Sequence, residues 1–499
     1  MTKQRRKTSL LGIVLFLWGA TLFAQAPDTL WTKTYGGSER DEARSVQQTS
    51  DGSYIVTGYT KSFGSGKADV WLIKTDPDGD TLWTKTYGGP EWDEARSVQQ
   101  TSDGGYIVTG WTCSFGAGEA DVWLLKTDAD GDTLWTRTYG DTGYDAGYSV
   151  QQTPDEGYII VGFTASVGPG EIQHVYVIKT DADGDTLWTS IYSGGAGTTR
   201  GSSVKQTSDG CYIIAGDTYI FSEVVSSSEV YLIKTDANGD SLWTRTYGGD
   251  HGSDYGISVC ETSDGSYIIT GTSYYSGRWY EVLLLKTDAD GDSLWARTYG
   301  QDHRHDHGRS VCETSDGGYI IAGAKQTDVL SHYNIYLMKT DENGEVLWTR
   351  DYGYPKKSWN QGYSVQETSD GGYIVAGGAD FLDPPNRDVC LLKLEPDVGI
   401  EEKESSQELP LVFEADPNPF TDKTSINYQL PSSAHVQMVV YDPIGRKVKI
   451  LVDGRQDAGT HILTWDGTDD AGGKLSSGLY FIRIVTPGFS QTAKVIMVR

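Results

Sequence analysis

The 499-residue sequence predicts an all-β protein: a seven-bladed β-propeller closed by its N-terminal strand, followed by a small β-sandwich. Three observations predict this. Trp31, Trp83, Trp135, Trp188, Trp243, Trp295 and Trp348 recur every 52 to 55 residues. Val46, Val98, Val150, Val204, Val259, Val311 and Val365 keep the same step, as do Lys74, Lys126, Lys179, Lys234, Lys286, Lys339 and Lys393, so each series has seven members. The first tryptophan strand precedes any complete unit, whereas the last unit, ending at VCLLKLEPD, lacks one. The N-terminal strand is therefore expected to complete the last blade, removing the open edges that would otherwise recruit other chains.

Residues 1–26 have the layout of a signal peptide: Lys3, Arg5, Arg6 and Lys7, then the apolar run LLGIVLFLWGATLF, then small residues at Ala24 and Ala26. That run is short for a spanning helix, and cleavage is expected after one of the two alanines. No later segment is apolar enough to span a bilayer, so the mature chain is expected to be soluble.

Residues 27–396 carry the unit SVxxTSDGGYIxxGxT, a variable loop, DVxLIKTDxDGD and LWTRTYGG. Each unit holds four short strands. SVQQT meets YIVTG through Ser-Asp-Gly, and DVWLIKT meets TLWTKTYG through Asp-x-Asp-Gly-Asp, both turn chemistries. Four antiparallel strands at this period describe a propeller blade. Strands such as VWLIK scarcely alternate, as expected of a sheet covered on both faces. Each repeated tryptophan is expected to wedge between blades, burying about 150–250 Å². At about 25 cal/mol per Å² this is about 4–6 kcal/mol as an upper bound. Trp92, Trp279 and Trp359 fall in loops outside the series and are the better ligand candidates.

Residues 397–410 are acidic and lack aromatics, which predicts a solvated linker. From 411 to 499 short apolar strands alternate with turns, predicting the β-sandwich. Here Pro417-Asn418-Pro419, YDPIGRKV from Tyr441, SSGLYFIRI from Ser476 and the closing KVIMVR resemble the type IX secretion system C-terminal sorting domain. GTHILTWDGTDDAGGKLSSGLY is also similar to the immunoglobulin-like domain of the flagellar hook-capping protein. The resemblance implies an immunoglobulin-like sandwich, recognition by an outer-membrane export machine as partner, and a secreted or outer-surface location. The repeats DGGYIVTGWT and TYGG resemble those of propellers in bacterial surface and secreted proteins, a family that implies a fold and no chemistry.

A formal net charge of -28 argues against nucleic acid or an anionic membrane as partner. It suits a soluble monomer, or a cationic partner. The five cysteines show no paired C-x-x-C, so neither zinc nor a full disulfide framework is indicated; Cys260 and Cys312 share a place in consecutive repeats.

Candidate chemistry is sparse. The Asp-x-Asp-Gly-Asp turns have glycine fourth where an EF-hand loop needs it sixth, so self-bonded Asx turns are expected, with weak calcium in some copies as the alternative. Gly79 to Trp83 resembles the tryptophan-docking repeat of quinone-type propellers, in which the motif locks blade to blade. Asp41, Asp93, Asp145, Asp254 and Asp306 lie five residues before the repeated valines, with Thr199 and Asn360 in the other two blades. They are expected near the channel mouth, either fixing loops or holding a cation. His303, His305 and His307 alternate in HRHDHG, so two could share a face and meet a transition metal; a solvated loop is the plainer reading. No catalytic residue or cofactor is nominated. The chain is expected to act as a non-enzymatic binding or structural module for an extracellular protein or glycan, read by loops such as GYPKKSWNQG and YIFSEVVSSSE. The rival is a hydrolase or lyase acting on extracellular polysaccharide through an acidic site on the propeller top.

Overall fold

A computed structural model describes residues 26–166, 172–194, 197–220, 227–248, 252–275, 279–300, 304–327, 332–353, 359–380, 387–397, 414–430, 433–441, 447–470, 472–486 and 489–498. The signal segment up to residue 25, most of the linker, His303 and the middles of both quoted loops lie outside the described residues. Among those described, every regular element is a β-strand, and no helix is long and apolar enough to cross a membrane. The chain divides into two compact units, Met1–Gly399 and Ile400–Arg499.

The first unit holds seven four-stranded antiparallel sheets. Blade 1 runs Asp41–Gln48, Tyr54–Thr60, Asp69–Thr75 and Thr81–Tyr87, from inner to outer strand. Blades 2 to 6 repeat this over Asp93–Tyr139, Asp145–Tyr192, Thr199–Tyr247, Gly252–Tyr299 and Asp306–Tyr352. Blade 7 takes three strands from Gln361–Leu394, and its fourth is Thr29–Tyr35, antiparallel to Arg387–Leu394 with Trp31 opposite Lys393. The ring is thus closed by its N-terminal strand. The second and third strands of blade 1 are buried at every position, consistent with sheets covered on both faces.

Chain direction gives the ring two unlike faces. The bottom carries both tight turns of each blade; the top carries the longer connections before the third strand and into the next blade. On the bottom, Asp51 Oδ1 accepts from Thr49 Oγ1 and Ser53 N, while Lys74, 5% exposed, reaches Asp51 from the neighbouring hairpin. All seven blades repeat this Lys–Asp staple. Burial works against the Asp51 and Asp103 carboxylates, yet the threonine hydroxyl, a backbone amide and the lysine hold each down to about 2.

Adjacent blades pack through shared apolar clusters, and two repeated contacts mark the inner and outer edges of each junction. Along the channel, Ser45 Oγ accepts from Val98 N at 3.3 Å, and the same serine-to-amide bond passes from each blade to the next until Ser364 meets Val46 at 3.2 Å. These bonds satisfy edge amides of the inner strands that no ladder reaches. At the outer bottom rim, Trp31 stacks edge-on to Tyr54 of the next blade at 5.9 Å and lies on Gly79. A Cβ at Gly79 would sit 2.9 Å from the indole, and its φ of 78° is left-handed, so only glycine fits. Tyr35 donates to the Gly79 carbonyl at 2.5 Å, and Lys33 pairs with Asp80 at 2.6 Å. The Asp-x-Asp-Gly-Asp turn itself is an Asx turn, with Asp76 Oδ1 accepting from Asp78 N and Asp80 N.

The tryptophan and tyrosine of this latch recur at six junctions, with a lysine or arginine between them at five and Ser190, donating to the Gly239 carbonyl, at the sixth. At the seam, where blade 7 has no such turn, Trp348 Nε1 donates instead to Asp397 at 2.7 Å, and Arg350 bonds the Pro27 carbonyl. Trp348 is 4% exposed; the other six tryptophans wedge between blades half-buried, because they cover a turn at the solvent rim.

The second unit packs a three-stranded sheet (Glu414–Asp416, Thr424–Leu430, Gly459–Trp465) against a four-stranded one (Ala434–Tyr441, Lys447–Gln456, Gly478–Thr486, Phe489–Met497). Phe420, Ile426, Tyr428, Met438, Trp465 and Ile482 are among its core residues. Asn418 ties the start of the domain to its last strand, donating to the Lys494 carbonyl at 2.6 Å and accepting from Ile496 N at 2.8 Å.

Candidate functional site

The channel is lined by a residue that carries no repeat signal. In every inner strand the ladder slips by one residue just before the serine, between Ala43 and Ser45 in blade 1 and at the matching place in the other six. Such a bulge leaves one residue unpaired and turns its side chain out of the sheet. The seven bulged residues are Arg44, Arg96, Tyr148, Ser202, Ile257, Arg309 and Tyr363, and they line a cavity of about 350 Å³. In a chain of net charge -28, this lining holds three arginines and no carboxylate.

The arginines are held close together. Arg44 lies 4.3 Å from the Tyr363 ring centroid and Arg309 5.8 Å from the same ring. Glu94 Oε1 accepts from Arg44 Nε at 3.1 Å and pairs with Arg96 at 3.2 Å. Glu42, fully buried, pairs with Arg40 at 2.8 Å, Arg387 at 3.1 Å and Arg44 at 3.5 Å. Burial disfavours the Glu42 carboxylate, but Arg44, Arg387 and Arg40 together hold it down to about 2. Tyr363 also lines a second cavity, with Arg40, Arg387, Gln361, Trp359, Asp380 and Glu39.

Aromatic rings lead away from it across the top of blades 7, 6 and 5. Trp359, 47% exposed, is 5.4 Å from Tyr333; Tyr333 is 6.0 Å from His307; His307 and His305 lie 5.3 and 5.1 Å from Tyr280; and His305 is 4.8 Å from Trp279, 38% exposed. His305 and His307 therefore flank one tyrosine. His305 Nδ1 accepts from Tyr280 N at 3.2 Å, and burial, then Arg309 and His305, push His307 down to about 3. Trp92 stands apart, its ring 4.4 Å from Lys61 Nζ.

The repeated top-face acids sit elsewhere. Asp41, Asp93, Asp145 and Asp306 are 0–2% exposed, at the first position of their inner strands. Asp41 Oδ2 accepts from Gly37 N at 2.8 Å and Ser62 Oγ at 2.7 Å, and Oδ1 from Lys61 N and the Thr60 hydroxyl. Asp93 makes the matching bonds to Gly89 N, Ser114 and Thr112. In the variant blades Thr199 accepts from Val175 N and Asn360 from Asp380 N. Asp254 is half-buried.

A second acid series, which the sequence reading missed, lies in the first three residues of the third strands, at Asp69, Asp121, Glu229, Glu281 and Asp388. A Cβ at Gly88 would meet Asp69 Oδ1 at 2.2 Å and Asp93 Oδ2 at 2.8 Å, so the two carboxylates face each other across the first glycine of TYGG. Burial, with repulsion from Asp145 and Asp141, pushes Asp121 up to about 6; burial with Asp41 and Asp380 does the same to Asp388. Among the described residues no three His, Cys, Asp or Glu side chains converge as a metal group, and all five cysteines are free thiols.

Residues 418–487 match the FlgD Ig-like domain family. No curated protein matches the sequence. Among solved structures, PorZ of Porphyromonas gingivalis, a bacterial surface component of the type-IX secretion system, is similar at 10% identity and a TM-score of 0.40, covering 94% of this chain. The chain spans 60% of that protein's length. A protein of unknown function from Dyadobacter fermentans is similar at 12% identity and a TM-score of 0.43, covering 74% of this chain and 99% of that one. The β-propeller domain of the Trilobed protease from Pyrococcus furiosus gives 12%, 0.40, 77% and 99% in the same order. These likenesses are too distant to say what this chain does, and the architecture rests on its own strand pairing.

Proposed function

We propose that this protein is a secreted or cell-surface propeller that binds a ligand without transforming it, exported by the type IX machinery through its C-terminal domain. One observation carries the binding part. Residues that hold the ring together repeat from blade to blade, whereas the channel lining changes among Arg, Tyr, Ser and Ile and the aromatic chain on the top runs over only three blades, as a recognition surface must vary and a structural one need not. The paired carboxylates, the nearest thing to acid–base machinery, lie 0–2% exposed at Asp93, Asp121 and Asp145, with no approach for a polysaccharide.

The export part is supported by the order of motifs from Pro417 to Arg499, by the FlgD Ig-like match, and by Asn418 tying the Asn-Pro element to the closing strand. The binding part is tested by screening the mature chain on glycan and protein arrays, with and without calcium, beside Trp279→Ala and Trp359→Ala. Signals lost in the variants support it; turnover of any polysaccharide overturns it. The export part is tested in a bacterium that has the type IX machinery. Removal of residues 411–499 should strand the chain in the periplasm, and undiminished secretion would refute the assignment.

A further inference from the structure

We propose that the arginine side of the central channel, built by Arg44, Arg96 and Arg309, is an oxyanion site for the carboxylate or phosphate group of a small organic ligand. This deepens the reading of the protein as a binding propeller and rests on it. The cavity of about 350 Å³ has room for such a group together with the ring that bears it.

Its donors are only partly used. The Nε atoms of Arg96 and Arg309 are buried without a hydrogen-bond partner. Glu94 serves Arg44 and Arg96 together, but among the described residues Arg309 makes no ion pair and lies 5.8 Å from the Tyr363 ring centroid. Burial and the like charges of Arg44 and Arg96 push Arg309 below the usual guanidinium range. Like charges gathered in a partly dry channel raise one another's energy, and an anion among them relieves that repulsion while supplying the missing acceptor. Guanidinium pairs suit two-oxygen groups because their N–H donors form a planar fork. Tyr148 and Tyr363 are engaged by the arginines, Arg96 lying 5.4 Å from the Tyr148 ring, so they hold the guanidinium heads in place. The acidic exterior would repel polyanions, which favours a compact ligand over nucleic acid.

Isothermal titration of the whole mature chain tests this with four probes: glucuronate, glucose 1-phosphate, inorganic phosphate and neutral glucose. Glucuronate or a phosphate should bind while glucose does not, and the preference among the anions identifies the group. Arg309→Gln should weaken that binding at least about tenfold, whereas Arg245→Gln, which removes an equal charge from the outer rim, should leave it unchanged. Arg96→Gln provides a second variant, and thermal melts establish that each is folded. Equal binding by wild type and Arg309→Gln, or no anion binding at all, overturns the site. If anions fail while the array signals that depend on Trp359 persist, the oxyanion site falls and the binding propeller stands; if both fail, both fall.

Discussion

The two faces of the ring are built from the same residue types and use them in opposite ways. On the bottom, aspartates are held ionised by lysines and hydroxyls, glycines open the turns for tryptophans, and seven near-copies do one job. On the top, aspartates press against other carboxylates, and from blade to blade the neighbouring positions change from Arg to Tyr to Ser to Ile. Repetition marks what every blade must do to close a ring. Divergence within that frame marks what the molecule does with it.

Five changes would break or sharpen this contrast. Removing Thr29–Tyr35 leaves blade 7 with three strands, and the cooperative thermal transition should be lost, with association visible in light scattering; an unchanged melt would refute closure as the main determinant of stability. Trp83→Ala takes an aromatic off Gly131 and should cost about 3 kcal/mol in urea unfolding. Asp103→Ala leaves the Lys126 ammonium buried without its carboxylate and should cost about 2 kcal/mol, whereas Lys126→Met, which removes the buried charge, should cost under about 1 kcal/mol. Equal losses would mean that the staple acts through shape alone.

The fourth change is pH. Asp51 and Asp103, held at about 2, contribute stability that is complete above the ordinary carboxylate range and lost as pH falls through about 2. Asp121 and Asp388, raised to about 6, do the reverse: they favour the fold at low pH, and that contribution is lost as pH rises through about 6. The melting temperature should therefore peak near about pH 4, and Asp121→Asn should flatten only the neutral limb. The smallest effect is expected at Glu156, whose φ of 64° stands where the other six blades place glycine. Glu156→Gly should stabilise by about 1 kcal/mol or less in the same urea assay.

Much of the ring was legible from periodicity alone. Counting Trp31 apart from the other tryptophans gave both the blade number and the closure, because a permuted repeat leaves its mark in the order of residues. Lys74 was visible as a series, but its partner Asp51 was not, since the pair bridges two hairpins. The second acid series was written plainly in DVxLIKT; its meaning depends on the next blade's aspartate, which periodicity does not bring near. The channel ring was the hardest to see. Arg44, Tyr148, Ser202 and Ile257 share no chemistry, and the bulge that turns them inward leaves no residue of its own. A constant offset of two before each repeated valine was the one signal that could have found them. The histidines were noticed for their alternation, yet their setting among Tyr280, Tyr333 and Trp279 comes from the third strands of two blades, about 25 residues to either side in sequence.

The hydrogen bonds between Thr29–Tyr35 and Arg387–Leu394 also set a timetable. Whatever order the other six sheets form in, the circle waits for a stretch near residue 390 to become available, and until then two sticky margins face water. A helper that shields those margins, or a translocation route that keeps the chain extended until its tail has emerged, would spare it from joining a sister molecule instead of itself.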